Sequence, residues 1–479
     1  MDQLSGGSMS NAAAVSVPVQ LPGPVQIPLV GWRTRGLRML GDPAEYFMRQ
    51  YARYGVVSAW NPQNPRHVFA FGPEYLKKIF AEPEVFIADS FREVRIPEQS
   101  SFYRLTNGLL RRNGDPHRKH RRLMQPAFTA RRVLVHRETV ADVTERCLSD
   151  WRTGDVVPMH DALARIIMLT AMRTVFDIDA PAKIDRLQGL ISRLLRVAAS
   201  PLTLLVPYDL PASTFRTALR TCEEIEALLL EMIRERRAGA SAGRDVLTSL
   251  VNAVDEDGSR LTEAELVGEA YTAFCHDSST ATLMWTLLLL DQHPQLMNDV
   301  VDEVRAVCGG SPPDDEQLGR MPLLEAVLKE TLRLLPPAPM LIRYTSRPTP
   351  FGRYQLPSGA MVFFSSYVTH RLEEVYHDPL RFDPGRWERE SPSTYEFLPF
   401  GAGAHNCVGR HFAMLEMKTV LAVLLQKFRP ALVPGTRVDR SMRVSLVPSH
   451  GLPMRLLPRG ARTSPAPLRG NIRDSVRLP

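Results

Sequence analysis

A glycine-rich stretch near the C-terminal end, Phe397-Leu-Pro-Phe-Gly-Ala-Gly-Ala-His-Asn-Cys-Val-Gly-Arg-His-Phe-Ala413, places Cys407 in a loop that opens directly onto a helical pattern over 408–427. Backbone N–H groups of such a loop, with the positive end of the following helix, stabilise a deprotonated sulfur. The spacing therefore predicts a thiol of lowered pKa, aimed outward as a ligand or nucleophile, with a large acceptor above it.

The chain around that loop is long, with 479 residues of which 44% are hydrophobic and 23% charged, so it can bury a large core. No long linker, internal repeat or low-complexity tract interrupts the middle. One large domain over 22–458 is expected, between flexible tails at 1–21 and 459–479. Residues 1–32 carry a single charge, Asp2, and the apolar run over 12–21 is short and broken by Pro18, so neither a signal peptide nor a membrane anchor is expected. Five cysteines without a CxxC pair encode neither a zinc site nor a covalent haem attachment, and their odd number favours a reducing, cytoplasmic setting. The formal charge of +7 is spread along helical segments without interleaved aromatics, which argues against a nucleic-acid partner.

Amphipathic 3.6-residue patterns dominate, over 44–54, 116–125, 131–151, 161–176, 184–198, 213–237, 262–292, 321–335 and 408–427. Short β-like runs lie at 56–60, 67–71, 353–356, 361–365 and near 444. The fold class expected is mainly α with small β-sheets. The 262–292 pattern starts on a capping box, Thr262 with Glu265, and is stopped by His293-Pro294. A single helix of that length spans about 45 Å and crosses the body of a domain.

The arrangement FxxGxHxCxG, filled by Phe400, Gly403, His405, Cys407 and Gly409, resembles the haem-binding signature of the cytochrome P-450 superfamily. Further motifs share that resemblance, which extends over about Pro22 to Leu457 and implies a single-domain cytochrome P-450 fold of the soluble bacterial type. Phe274-Cys-His-Asp-Ser-Ser-Thr280, followed by Trp285, resembles the family's oxygen-activation segment, with Asp277 at the acid position and Ser278 at the alcohol position. Oxygen activation needs protons delivered where bulk water is kept out: a hydroxyl donates locally and a carboxylate relays from outside. Two departures stand here. Serine replaces the usual threonine, and Phe274 and Cys275 occupy positions that are usually small.

Lys329-Glu-Thr-Leu-Arg333 and Phe382-Asp-Pro-Gly-Arg-Trp387 resemble the ExxR and FxPxRF/W segments, which implies that Glu330, Arg333 and Arg386 form a buried structural charge network. Gly114-Asp-Pro-His117-Arg-Lys-His-Arg121 resembles the segment that binds haem propionates, giving His117 and Arg121, with Arg343 and His405 completing the cations at the porphyrin edge. Phe400 would pack beside the sulfur. The resemblance further implies iron protoporphyrin IX (haem b) held through Cys407, O2 as co-substrate, and NAD(P)H electrons arriving singly through a ferredoxin or flavodoxin-like donor with its reductase. Arg386, Arg410, His411 and Lys418 are the cations expected to meet that acidic partner. By position, 91–106, 198–210, Phe274, Cys275, Met340, Leu341 and 444–448 would face a lipophilic substrate such as a fatty acid, terpenoid or polyketide-like compound, with Arg92, Arg95 and Arg104 as candidate partners for a carboxylate. The reaction implied is monooxygenation by a monomer. A haem-thiolate isomerase, dehydratase or coupling enzyme, or a non-catalytic haem sensor, stays open at this point.

Overall fold

The computed structural model describes residues 20–24, 36, 38–39, 41–89, 92, 96–198, 200, 203, 208–239, 245–274, 277–442, 445–461 and 464–479. A five-stranded sheet is built from β1 (Val57–Ala59), β2 (His67–Ala70), β3 (Phe86–Ile87), β4 (Leu341–Thr345) and β5 (Met361–Phe364), in the order β1-β2-β5-β4-β3. Only the β2–β5 pair is parallel. Smaller sheets and helices make the rest of the body, the helices including α1 (Pro43–Tyr54), α2 (Gly114–Met124), α3 (Met159–Phe176), α4 (Thr214–Arg237), α5 (Glu263–Ala273), α6 (Asp277–Gln292), α7 (Pro294–Cys308), α8 (Pro322–Leu334) and α9 (Arg410–Lys427).

The centre is α6. All of its residues from Ser279 to Gln292 are buried, because α3, α8 and α9 pack around it, and Trp285 donates its indole N–H to the Leu446 carbonyl at 2.8 Å. A helix apolar on every face belongs inside a large domain. The capping box of Thr262 and Glu265 starts α5 as the sequence predicts. The single helix expected over 262–292, however, is two helices, one ending at Ala273 and the other beginning at Asp277. Asp277 stands in the first turn of α6, where a negative charge suits the N-terminal dipole, and Ser278 and Ser279 are hydroxyl residues better suited to a first turn than a helix interior. The 131–151 pattern is also divided, into Ala130–Val133, a 3-10 turn at Leu134–His136 and Arg137–Leu148.

The C-terminal segment differs from the flexible tail expected. Leu468, Ile472 and Val476 are buried in the same core cluster as α6 and α9. Ser475, wholly buried, accepts hydrogen bonds at its hydroxyl from Tyr367 (2.9 Å) and Arg440 (2.6 Å) and at its carbonyl from Arg371 (3.0 Å). Arg477 pairs with Asp378 at 2.8 Å. The polar spacing hides this role: three apolar residues four apart are enough to dock a short segment when the surface beneath supplies buried arginines that need carbonyls.

Replacing Ile472 with alanine removes a fully buried side chain and is expected to lower stability by about 2–5 kcal/mol. Urea unfolding of the full chain measures this; an unmoved midpoint would show that the segment does not contribute to the core.

Candidate active site

Residues 400–409 fold back on themselves before α9 begins. The Cys407 N–H donates to the Phe400 carbonyl at 2.8 Å, and Gly401 and Gly403 both adopt left-handed backbone conformations, at φ +69° and +64°. A Cβ on Gly403 would meet the Phe80 carbonyl oxygen at 2.6 Å, so glycine is required by both conformation and space. The sulfur faces a cavity of about 310 Å³ whose wall includes Phe400, His405, Cys407 and Gly409. Cys407 presents accessible surface, yet that surface is the cavity wall and the thiol itself lies deep among protein atoms.

Burial pushes the Cys407 thiol up from its ordinary pKa. The groups expected to lower it are present, namely the Gly409 backbone N–H and the cations of Arg121 and Arg410, but burial outweighs them. The sequence expectation of a thiol lowered by the loop alone is thus corrected: desolvation is the larger effect. A metal cation bound to the sulfur reverses that balance, since a coordinating thiol is deprotonated outright.

His117, Arg121 and His405 line one side of the cavity, with Arg343 close enough to act on both imidazoles. The His117 and His405 rings lie 3.9 Å apart, and His117 Nε2 is buried without a hydrogen-bond partner. Burial, then Arg121 and Arg343, pushes His117 down to about 4; burial, then His117 and Arg343, pushes His405 down to about 3. Arg343, on the same side of β4 as Leu341, is lowered to about 10 by burial alone. Arg121 reaches the Asn406 carbonyl at 2.6 Å. Among the described residues no ion pair joins any of the four to a carboxylate. A buried cluster of this kind is complementary to an anion.

Below the loop, Glu330, Arg333 and Arg386 are almost wholly buried. Arg333 grips both Glu330 oxygens at 2.8 and 2.9 Å, and Arg386 Nε donates to Glu330 at 3.4 Å. The remaining guanidinium hydrogens go to the carbonyls of His370, Pro379, Arg381, His377 and Asp378 and, from Arg386, to the Glu390 carboxylate at 2.9 Å. Tyr376 lies against both guanidinium groups. The link to the sulfur loop is His370, which sequence reading missed. Its Nδ1–H donates to the Arg333 carbonyl at 2.9 Å and its Nε2 accepts from the Leu398 N–H at 3.1 Å. Burial holds this imidazole down to about 3, hence neutral. Nothing in its spacing from other motifs signals this role.

The facing wall comes from α5, α6 and neighbouring elements. Ser278, Ser279, Thr282 and Phe274 line the cavity, while Asp277, at the head of α6, is not on the wall. Phe274 rests its ring 5.7 Å from Phe176. Cys275 lies outside the described residues. Leu341 faces the cavity, whereas Met340 packs beside the cluster of Phe47, Phe69 and Phe363, consecutive residues pointing to opposite faces. None of the described residues within 91–106, 198–210 or 444–448 reaches the wall, which takes Leu109, Leu110, Ala171, Val175 and Val246 instead. Arg104 is held by Glu226, Arg92 stacks 4.8 Å from the Tyr344 ring centre, and Arg95 lies outside the described residues.

Of the four cations expected to meet an acidic partner, two are unsuitable. Arg386 is buried in the charge network, and Lys418 is buried with its ammonium on the Leu318 carbonyl and Glu325. Arg410 and His411 remain exposed.

Removing one member of the buried network leaves the others without compensation. Arg386→Ala is expected to cost about 3–5 kcal/mol in urea unfolding, and Arg386→Lys to recover little, because one ammonium cannot serve carbonyls and carboxylates spread along a planar fork. A loss below about 1 kcal/mol would refute a locking role.

A sulfur ligand at the floor, a buried basic rim and an apolar wall fit a flat prosthetic group with a metal centre and acidic edge substituents, as haem has. Comparisons with known proteins agree. The cytochrome P450 family model matches residues 21–455. Cyclooctat-9-en-7-ol 5-monooxygenase of Streptomyces melanosporofaciens is 30% identical over 88% of this chain and 93% of its own, and cytokinin hydroxylase of Arabidopsis thaliana is 29% identical over 86% and 82%. The fold is shared with retinoic acid bound cyanobacterial CYP120A1, at a TM-score of 0.80 and 24% identity, covering 92% of this chain and all of the other. From its matched motifs and this whole-chain likeness, the chain belongs to the cytochrome P450 family of haem-dependent monooxygenases.

Proposed function

We propose that this chain hydroxylates or epoxidises a lipophilic substrate, holding haem b through Cys407 and drawing electrons one at a time from a separate donor. The observation that carries the reading is convergence: Cys407, the basic side chains of His117, Arg121 and His405, and Ser278 all border one cavity. The haem, when bound, activates O2, and thiolate donation to its iron favours O–O cleavage. His117, Arg121, Arg343 and His405 would hold its acidic edge, and Phe400 and the Gly409 N–H would temper the sulfur.

Each turnover consumes two protons and two electrons beside O2 and leaves one water. Ser278, on the cavity wall, would give the proton locally, and Asp277, set back from the wall, would pass protons inward from solvent. Serine lacks the methyl that restricts threonine, so its hydroxyl has more freedom than the family's usual residue.

Support for an apolar substrate comes from the hydroxyls on the wall. Thr174, Thr272 and Thr282 each donate to a carbonyl of their own helix, at Thr170, Gly268 and Ser278, leaving few donors turned toward a guest. With Arg104 engaged by Glu226, a carboxylate-bearing substrate is disfavoured against a neutral one such as a terpenoid or polyketide-like compound. Its relative acting on cyclooctat-9-en-7-ol fits that class. Arg410 and His411, exposed on the α9 side, would contribute to docking of an acidic ferredoxin or flavodoxin-like donor, and a cytoplasmic monomer fits a carrier-fed enzyme.

Turnover with a surrogate ferredoxin and reductase under labelled O2 tests the reaction. One labelled oxygen in the product and one in water is expected. Product that carries no label would refute oxygenation in favour of isomerisation, dehydration or coupling.

A further inference from the structure

Glu269 is wholly buried on α5, one turn before Thr272, Ala273 and Phe274 on the cavity wall, and takes no part in the proton delivery or the charge network. Each of its oxygens has one donor. His120 Nδ1 lies 2.7 Å from Oε1, and the Leu109 N–H donates to Oε2 at 3.2 Å. Among the described residues no lysine or arginine pairs with it, so a carboxylate kept from water depends on these two groups. His120 is itself buried on α2, and its Nε2 lies 3.2 Å from Glu265, one turn back along α5.

The three partners belong to three parts of one cavity. α5 supplies Thr272, Ala273 and Phe274, α2 supplies His117 and Arg121, and the segment between Asn107 and Asn113 supplies Leu109 and Leu110. Leu110 is 64% exposed although it lines the cavity, so this segment forms the edge toward solvent. The segment also lies flush on α5. A Cβ on Gly108 would meet the Gly268 carbonyl oxygen at 2.5 Å and strike the Thr272 hydroxyl, and one on Gly268 would meet the Arg104 carbonyl oxygen at 2.9 Å. Facing glycines let the two backbones touch. At the far end, Asn113 exchanges two hydrogen bonds of 2.7 Å with the backbone of Ala88. Between these fixed points, Glu269 ties Leu109 to α5.

Resting on the reading that a lipophilic substrate occupies this cavity, we propose that Glu269 is a positioning residue: it holds the Leu109–Leu110 wall against α5 and so sets how closely the cavity fits a bulky apolar guest. It touches no reacting atom. Alanine at this position leaves the Leu109 N–H and His120 without their acceptor and frees the wall between its two fixed ends. Glutamine serves both groups, with a carbonyl for Leu109 and an amide N–H for His120, whose ring then accepts at Nδ1 and donates at Nε2 to Glu265.

Hydrogen exchange in the full-length holoprotein reads the tie directly. In Glu269→Ala the Leu109 amide is expected to exchange about tenfold faster, with the amides of α9 unchanged. Binding of imidazole and of phenylimidazole, followed by the shift of the Soret band, reads the consequence. Phenylimidazole should bind about tenfold more weakly to Glu269→Ala, whereas imidazole, without a phenyl group to meet the wall, should change less than about twofold. Glu269→Gln should restore both readouts. Gly108→Ala, which leaves Glu269 in place and lifts the segment from α5, should give the same selective loss, and replaces Glu269→Ala should that variant not fold. A native exchange rate at Leu109, equal weakening of the two ligands, or weakening of neither would overturn the proposal, since a merely structural role weakens both alike. Failure of the oxygenation reading is separately visible as native product without label, and neither readout depends on turnover.

Discussion

Moving a sulfur anion out of water is unfavourable unless a cation takes the water's place, and the Cys407 loop is arranged around that cost. Gly409, Arg121 and Arg410 favour the anion but do not outweigh burial, so the thiol stays high until a metal ion meets it. The rim poses the converse requirement, with His117, His405, Arg121 and Arg343 gathered where no carboxylate among the described residues pairs with them. The cavity is therefore complementary to one kind of guest, cationic at the centre and anionic at the edge.

Such complementarity is useful only if the loop holds still. Glu330, Arg333 and Arg386 satisfy one another and nearby carbonyls, and His370 carries the connection from the Arg333 carbonyl to the Leu398 N–H, just ahead of Phe400. The C-terminal segment braces the same region, since Arg477 pairs with Asp378, whose carbonyl accepts from Arg386. The Ser475 carbonyl meanwhile accepts a hydrogen bond from Arg371, the neighbour of His370. Stiffness beneath the sulfur is thus distributed over residues far apart in sequence.

Much of the fold was legible from pattern. The amphipathic periods locate α1, α2, α3, α4, α8 and α9 to within a few residues, because each buries apolar positions along most of its length. The end of α5 at Ala273 was not legible, because the apolar period persists through it and only the hydroxyl residues that follow hint at a break. At the site, Cys407, His117, Arg121, His405 and Ser278, which the resemblance singled out, border one cavity. Met340 does not, because strand alternation turns it away beside Leu341. Lys418 reads as a surface cation yet lies buried with partners that only tertiary packing supplies, and Arg386, expected both in the buried network and on the docking face, is buried in the network. His370 carries no motif of its own in the sequence, and its role follows from burial and from partners on other elements.

The central claim is that Cys407 binds iron as an anion. Absorption of the reduced holoprotein under carbon monoxide reports the ligand trans to the gas. The account predicts a Soret band displaced to the red, as a thiolate produces, and its loss in Cys407→Ala. A native chain with an undisplaced band, or a Cys407→Ala variant that keeps the displaced one, would contradict it.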